Sequence, residues 1–226
     1  MRTSKAERAE AVLDDLVRRY LPAQDLASGT TALAKVRAET EDPFRVLIAT
    51  ILSQRTRDEW TDVASRRLFA RFPNARSLAA ADVRTVRRLI RPVNFYRGKA
   101  RKIREAARVV LDRHGGRVPD TYEELIALPQ VGPKTANCVL VYGYGRDAIP
   151  VDTHVHRVSN RLGLARTTAP EETEAALKRL VPRPRWSSLN EVFVRFGKEI
   201  CKPIGPRCDL CSFTGFCAYY RARTRR

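Results

Sequence analysis

Apolar residues recur at helical spacing from one end of this 226-residue chain to the other. No segment alternates apolar and polar residues as a half-buried strand would. The breaks between apolar runs are short, and together these patterns predict a compact all-α fold. Residues 5–20 place Ala9, Val12, Leu13, Leu16, Val17 and Tyr20 on one face of an amphipathic helix. Residues 22–41 read as a connector with a short helix. Asp42-Pro43 is a helix start, an N-cap acid followed by proline at the first helical position. The run behind it, Phe44 to Leu52, is apolar on nearly all sides and predicts a central helix. Further helices are expected over 58–71, 82–90 and 97–113, the last stopped by His114-Gly115-Gly116. Thr121-Tyr122-Glu123-Glu124 fits a capping box. Helices then follow from Lys134 to about Tyr142 and near 153–162, 170–180 and 187–200.

Charge narrows the partners. With 43 basic against 25 acidic residues the formal net charge is +18. The arginine-rich tail Arg221 to Arg226 reads as a solvated end, but without it the chain is still strongly basic. Such a surface attracts polyanions and makes affinity fall with salt; a basic but functionally unrelated protein is the bland reading. No apolar run approaches the roughly 18 residues of a membrane span. No apolar segment follows the N-terminal Met1-Arg2-Thr3-Ser4-Lys5, so no secretory signal is expected. The expected location is the cytoplasm, in association with the nucleoid, with no membrane partner. Nothing points to an obligate oligomer, so a monomer is expected.

Leu128-Pro129-Gln130-Val131-Gly132-Pro133-Lys134-Thr135-Ala136 reads as a helix end, a tight turn and a new helix start, a candidate helix-hairpin-helix. Gly132 is expected to permit the sharp turn. The first N–H groups of the second helix lack intrahelical partners and suit a phosphate, though an ordinary turn between helices has the same outline. Lys134 falls in the first turn of that helix. There the dipole and nearby cations disfavour the ammonium, and the neutral amine is the nucleophile that Schiff-base formation needs. Against this stands the commonness of surface lysines. Asp152, in Val151-Asp152-Thr153-His154, precedes a helix and reads first as an N-cap. Beside a sugar the same carboxylate would stabilise positive charge as a base departs.

Cys201, Cys208, Cys211 and Cys217 place four thiols in one short segment, which in a reducing compartment points to a metal site. Only one C-x2-C pair is present. Zinc and an iron–sulfur cluster both remain open on spacing alone. Cys138 lies apart and reads as a small buried residue.

The hairpin with its lysine, the stretch Val151 to Arg161 and the cysteine spacing occur in this order in one family. The chain resembles endonuclease III, the helix-hairpin-helix DNA glycosylases, from about Pro43 to Cys217. The resemblance implies two helical domains flanking a DNA groove. Residues 27–147 would form a six-helix barrel ending in the hairpin. Residues 1–26 and 148–226 would form a discontinuous domain around a structural [4Fe–4S] cluster held by the four cysteines. The Lys202 to Arg207 loop would present basic residues to phosphates. Double-stranded DNA with a damaged base or an abasic site would be the partner, and oxidised pyrimidines such as thymine glycol the substrate. The damaged nucleotide would be flipped out. Lys134 would attack C1′ as the base leaves, Asp152 would stabilise the developing charge, and β-elimination would cut the strand.

Several positions depart from the family pattern. Gln130 stands where a small residue is usual, and Pro133 where a basic one often occurs. Gln54-Arg55 replaces a segment whose glutamine fills the gap left by the flipped base, which moves Arg55 toward that role. Phe95 matches a wedge position often held by leucine, where an aromatic can stack and support a kink; as a bland alternative it caps the core. Gln130, Val131, Gly132, Thr135, Lys202 and Arg207 complete the expected DNA contacts. The adenine mispair glycosylases fit less well, lacking the hairpin lysine and using a glutamate on the helix that here reads Ile51-Leu52-Ser53-Gln54. A pyrimidine-dimer glycosylase with the same lysine is the nearer alternative. A non-catalytic helix-hairpin-helix protein with a zinc-held tail is the alternative from another class.

Overall fold

The Asp42 carboxylate accepts from the Phe44 N–H at 2.9 Å, and Pro43 follows at the first helical position. From that start the chain forms one of the most buried helices of the protein. The computed structural model describes residues 4–21 and 42–224. The connector expected over 22–41 therefore lies outside the described residues. Among those described, all regular structure is helical.

The chain divides into two compact units, Ala27–Arg146 and Met1–Leu26 together with Asp147–Arg226. In the first, α2 (Pro43–Ser53) keeps every residue from Val46 to Leu52 fully out of water. Burial of that many large apolar side chains, each stabilising by roughly 1.5–3 kcal/mol, makes α2 the organising element. Around it lie α3 (Asp58–Arg71), α4 (Ala75–Ala79), α5 (Val83–Leu89), α6 (Tyr96–His114), α7 (Tyr122–Ile126) and α8 (Pro133–Cys138). α2 packs against α3, α6 and α8, and α6 against α4 and α5. The α6 stop is as expected, with Gly115 and Gly116 at φ +60° and +85°. Sequence patterning missed α4, a five-residue helix too short to show a period. Its Asn74 cap accepts from the Ser77 N–H at 2.9 Å.

One local expectation is corrected. At Thr121 only half of a capping box forms: the Glu124 N–H reaches the Thr121 hydroxyl, but the Glu124 carboxylate takes the hydroxyl proton rather than the cap N–H. The chain from Lys134 is helical to about Tyr142 as expected, α-helical to Cys138 and then a π-turn over Val139–Gly143. A Cβ on Gly143 would stand 3.2 Å from the Pro43 Cα, so this turn approaches the α2 start as closely as glycine allows.

The second unit contains α1 (Lys5–Tyr20), α9 (Thr153–Leu162), α10 (Pro170–Leu180), α11 (Trp186–Glu199) and α12 (Ala218–Thr224). α1 is capped by a Ser4–Glu7 box and buries Ala9, Val12, Leu13, Leu16 and Tyr20. The Tyr20 hydroxyl donates to Glu199 at 2.6 Å and Arg19 to the same carboxylate at 2.8 Å, which joins α1 to α11. The tail from Arg221 is exposed, as expected, over its described residues 221–224, where it forms the end of α12; Tyr219 and Tyr220 just before it pack on the unit's core.

Candidate active site and cysteine cluster

α7, the turn and α8 form the expected hairpin, with a different residue making the bend. Gly132 has φ −99° and ψ −179°, an extended conformation open to any residue. The left-handed residue is Gln130, at φ +66°. A non-glycine residue there costs roughly 1–2 kcal/mol. Gly132 serves differently: a Cβ added to it meets nothing within 4 Å, so the N-cap of α8 faces open space. The Val131 N–H is already given to the Leu128 carbonyl at 3.2 Å, and the Val131 and Thr135 side chains are buried. Neither side chain is available to a ligand, and with its N–H engaged Val131 has no donor left to support its expected contact. Lys134 is the second residue of α8, half-buried beside the exposed Gly132.

Asp152 is the N-cap of α9. Its Oδ1 accepts from the His154 and Val155 N–H groups, both at 2.9 Å. Oδ2 accepts no hydrogen bond among the described residues. The capping role is therefore real and uses one carboxylate oxygen. Asn190 Nδ2 donates to the Pro150 carbonyl at 2.7 Å and fixes the segment leading into the cap.

Two arginines one turn apart on α9 fasten it to its surroundings. Arg157 donates to the Cys201 carbonyl at 3.1 Å and the Gly197 carbonyl at 3.0 Å, and its Nη2 stands 3.1 Å from His154 Nδ1. A guanidinium only donates, so this contact requires a His154 ring protonated on Nε2. Burial pushes the His154 pKa down, against the raising effect of Asp152, and Arg157 adds to the lowering. Arg161 donates to the Lys202 and Pro203 carbonyls at 2.6 and 2.9 Å, touches Cys201 Sγ at 3.6 Å and stacks on Tyr219 at 4.3 Å. Sequence reading did not single out these residues, although their i, i+4 spacing beside Asp152 was visible.

Cys201, Cys208 and Cys211 are half-buried and Cys217 is buried. Burial pushes the Cys211 and Cys217 thiols up, and neighbouring cysteines push further in the same direction. Four soft sulfur donors that feel one another suit a positively charged inorganic group, which would relieve that repulsion. Phe213 lies among them with its ring 5.5 Å from Phe196, giving the segment an apolar wall. Among the described residues no three His, Cys, Asp or Glu side chains are already gathered tightly enough to hold a single metal ion. Lys202 and Arg207, on the loop between the first two cysteines, are exposed.

The remaining expected contacts come from two adjoining loops of the first unit. Gln54 and Arg55 follow α2 and are exposed, and Phe95 precedes α6 with 67% of its surface in water. That exposure excludes the core-capping alternative for Phe95. Arg55 and Phe95 have φ +54° and +57°. With Gln130 they are the only left-handed non-glycine residues among those described, and all three were expected to meet DNA. Backbone strain of this kind concentrates at binding sites.

Residues 48–183 match the model of the HhH-GPD superfamily of base excision DNA repair proteins. The chain belongs to that superfamily, in its endonuclease III family. It is 51% identical over 182 residues to endonuclease III of Thermotoga maritima, covering 80% of this chain and 85% of that one. An endonuclease III homologue of Arabidopsis thaliana is longer; the 38% identical match covers 79% of this chain and 49% of that protein. Among solved structures, a trapped endonuclease III–DNA covalent intermediate superposes over the whole of both chains with a TM-score of 0.86 at 31% identity. No helix among the described residues is long and apolar enough to cross a membrane.

Proposed function

We propose that this protein is a bifunctional DNA glycosylase and abasic-site lyase of base excision repair, acting on oxidised pyrimidines of the thymine glycol type in double-stranded DNA, as a monomer at the nucleoid. Two observations carry the reading, one in each unit and both inside the family-matched segment: a first-turn lysine on a hairpin, and an aspartate that caps a helix through one oxygen and leaves the other open. A solved relative caught in covalent linkage with DNA supports the same chemistry.

The damaged nucleotide leaves the stack, and Arg55 and Phe95 enter the duplex in its place. The exposed α8 start around Gly132 and the Lys202–Arg207 loop grip phosphates, which positions the duplex without reading its sequence. The neutral Lys134 amine attacks C1′ while the C1′–N bond breaks and the base departs with a proton. Asp152 Oδ2 faces the positive charge that develops on the sugar and carries the amine proton away. Ring opening gives an iminium that acidifies the C2′ proton. Loss of that proton expels the 3′ phosphate, and hydrolysis of the imine returns the enzyme. Cys201, Cys208, Cys211 and Cys217 would hold a [4Fe–4S] cluster, whose contribution would be structural, fixing the basic loop between Cys201 and Cys208.

The test is strand cleavage on duplexes carrying one thymine glycol, one abasic site or one pyrimidine dimer. Lys134→Gln is expected to bind the thymine glycol duplex as the parent does and to leave it intact. Cleavage by the variant at the parental rate would remove Lys134 from the mechanism. Parental cleavage of the dimer duplex without cleavage of the thymine glycol duplex would replace the substrate class.

A further inference from the structure

A second lysine is used in a way the chemistry above does not require. Lys99, in the first turn of α6, keeps only 5% of its surface in water. Its ammonium donates to the Leu52 carbonyl at 2.6 Å, the Gln54 carbonyl at 2.6 Å and the Thr56 hydroxyl at 3.0 Å. Burial, and then the charge of Lys102, lower its pKa from 10.5 to about 8. The three oxygens oppose that shift, since they are satisfied by a group with three protons to give. All three donors are thus engaged, and Lys99 is no rival to Lys134 as a nucleophile.

The acceptors identify its task. Leu52 lies in the last turn of α2, where a cation meets the negative end of the helix dipole. Gln54 and Thr56 flank Arg55, so the ammonium holds both sides of the left-handed residue. The Thr56 hydroxyl also accepts from the Asn94 N–H at 3.2 Å, and Asn94 Nδ2 donates to the Arg55 carbonyl at 2.5 Å. Asn94 immediately precedes Phe95. The two exposed, strained residues therefore sit on loops joined by one continuous network with a buried charge at its centre.

We propose that Lys99 is a positioning residue which, through Thr56 and Asn94, locks the Gln54–Arg57 and Asn94–Phe95 loops into a single rigid wedge, so that Arg55 and Phe95 enter the duplex together. The proposal rests on the DNA glycosylase reading. It explains why a lysine occupies the apolar stripe of α6, at the spacing shared by Ile103, Ala106 and Val110. It also explains what holds two left-handed backbones in the free protein: ordering the wedge in advance removes that cost from the binding step.

The wedge is needed only where a paired base must be displaced. The experiment compares single-turnover excision of thymine glycol from a fully paired duplex and from the same lesion inside a bubble of mismatches, where unpairing has already occurred. Lys99→Met fills the same volume without a donor. It is expected to lose about 100-fold on the paired duplex, the scale of an ångström-level misplacement, and to remain within a few-fold of the parent in the bubble. Asn94→Ala, at an exposed position where folding is not at stake, is expected to show the same selectivity with about a tenfold loss on the paired duplex. Equal losses on both substrates, or an Asn94→Ala variant indistinguishable from the parent, would overturn the proposal. A parent protein that excises thymine glycol from neither substrate would instead overturn the oxidised-pyrimidine reading on which the wedge proposal rests.

Discussion

The turn that carries Lys134 and the helix that Asp152 caps are built by opposite means. The turn is a backbone structure: its bend is the left-handed Gln130, its closure the Val131 N–H to Leu128 carbonyl bond, and its rim a glycine with nothing near its missing Cβ. The start of α9 is a side-chain structure. Asp152 caps it, Asn190 fixes the approach, and Arg157 and Arg161 bind it to α11 and to the loop between the first two cysteines. The difference follows from what each must present. On the proposed reading a phosphate approaches the α8 start, and a helix start that binds an anion through its N–H groups is served by keeping side chains away. On the same reading the Asp152 carboxylate stabilises developing charge, which needs a fixed direction, and a network of hydrogen bonds supplies it.

The sharpest way to break this comparison is at Asp152, where cap and chemistry share one side chain. Asp152→Asn keeps the capping oxygen and loses the charge. It is expected to slow single-turnover base release by about 100-fold or more while moving the unfolding midpoint little. Asp152→Ala is expected to lose the cap as well, about 1 kcal/mol in urea unfolding. If Asn and Ala lowered stability alike and left base release untouched, Asp152 would be a helix cap and nothing more.

A smaller effect is expected at Gly197, where a Cβ would stand 2.8 Å from His154 Nδ1 and 3.0 Å from Arg157 Nη2. Gly197→Ala should cost roughly 1–3 kcal/mol by forcing α9 and α11 apart, measured by thermal or urea unfolding. An unchanged stability would mean that the arginine network is looser than its distances suggest. The smallest effect has the opposite sign. Gln130→Gly relieves the left-handed backbone but frees the unfolded chain, for a net gain of about 0.5–1 kcal/mol. A loss instead would show that the Gln130 side chain contributes a contact worth more than the strain.

How much of this was legible in the sequence follows the same division. Helices with a long apolar period or a strong cap were read closely; α3, α9 and α10 fall on the expected residues. α4 and α12 were not, because five to seven residues carry too little period. Lys134, Asp152 and the four cysteines could be singled out because residue type and spacing carry their chemistry. The bend was assigned to Gly132 because glycine is the usual left-handed residue, and nothing local reveals that Gln130 accepts the strain. Lys99 was readable in principle, being a lysine on an otherwise apolar stripe, but its three acceptors lie more than forty residues away in the chain. Long-range partners of that kind become visible only when the chain is folded.

Borohydride trapping tests the central claim most directly. The parent protein and Lys134→Gln would each be reduced on a thymine glycol duplex, with an abasic duplex as control. The account predicts a covalent protein–DNA adduct on both duplexes for the parent and none for the variant. An adduct that persists in Lys134→Gln, or a parent that cleaves both duplexes without ever being trapped, would contradict it.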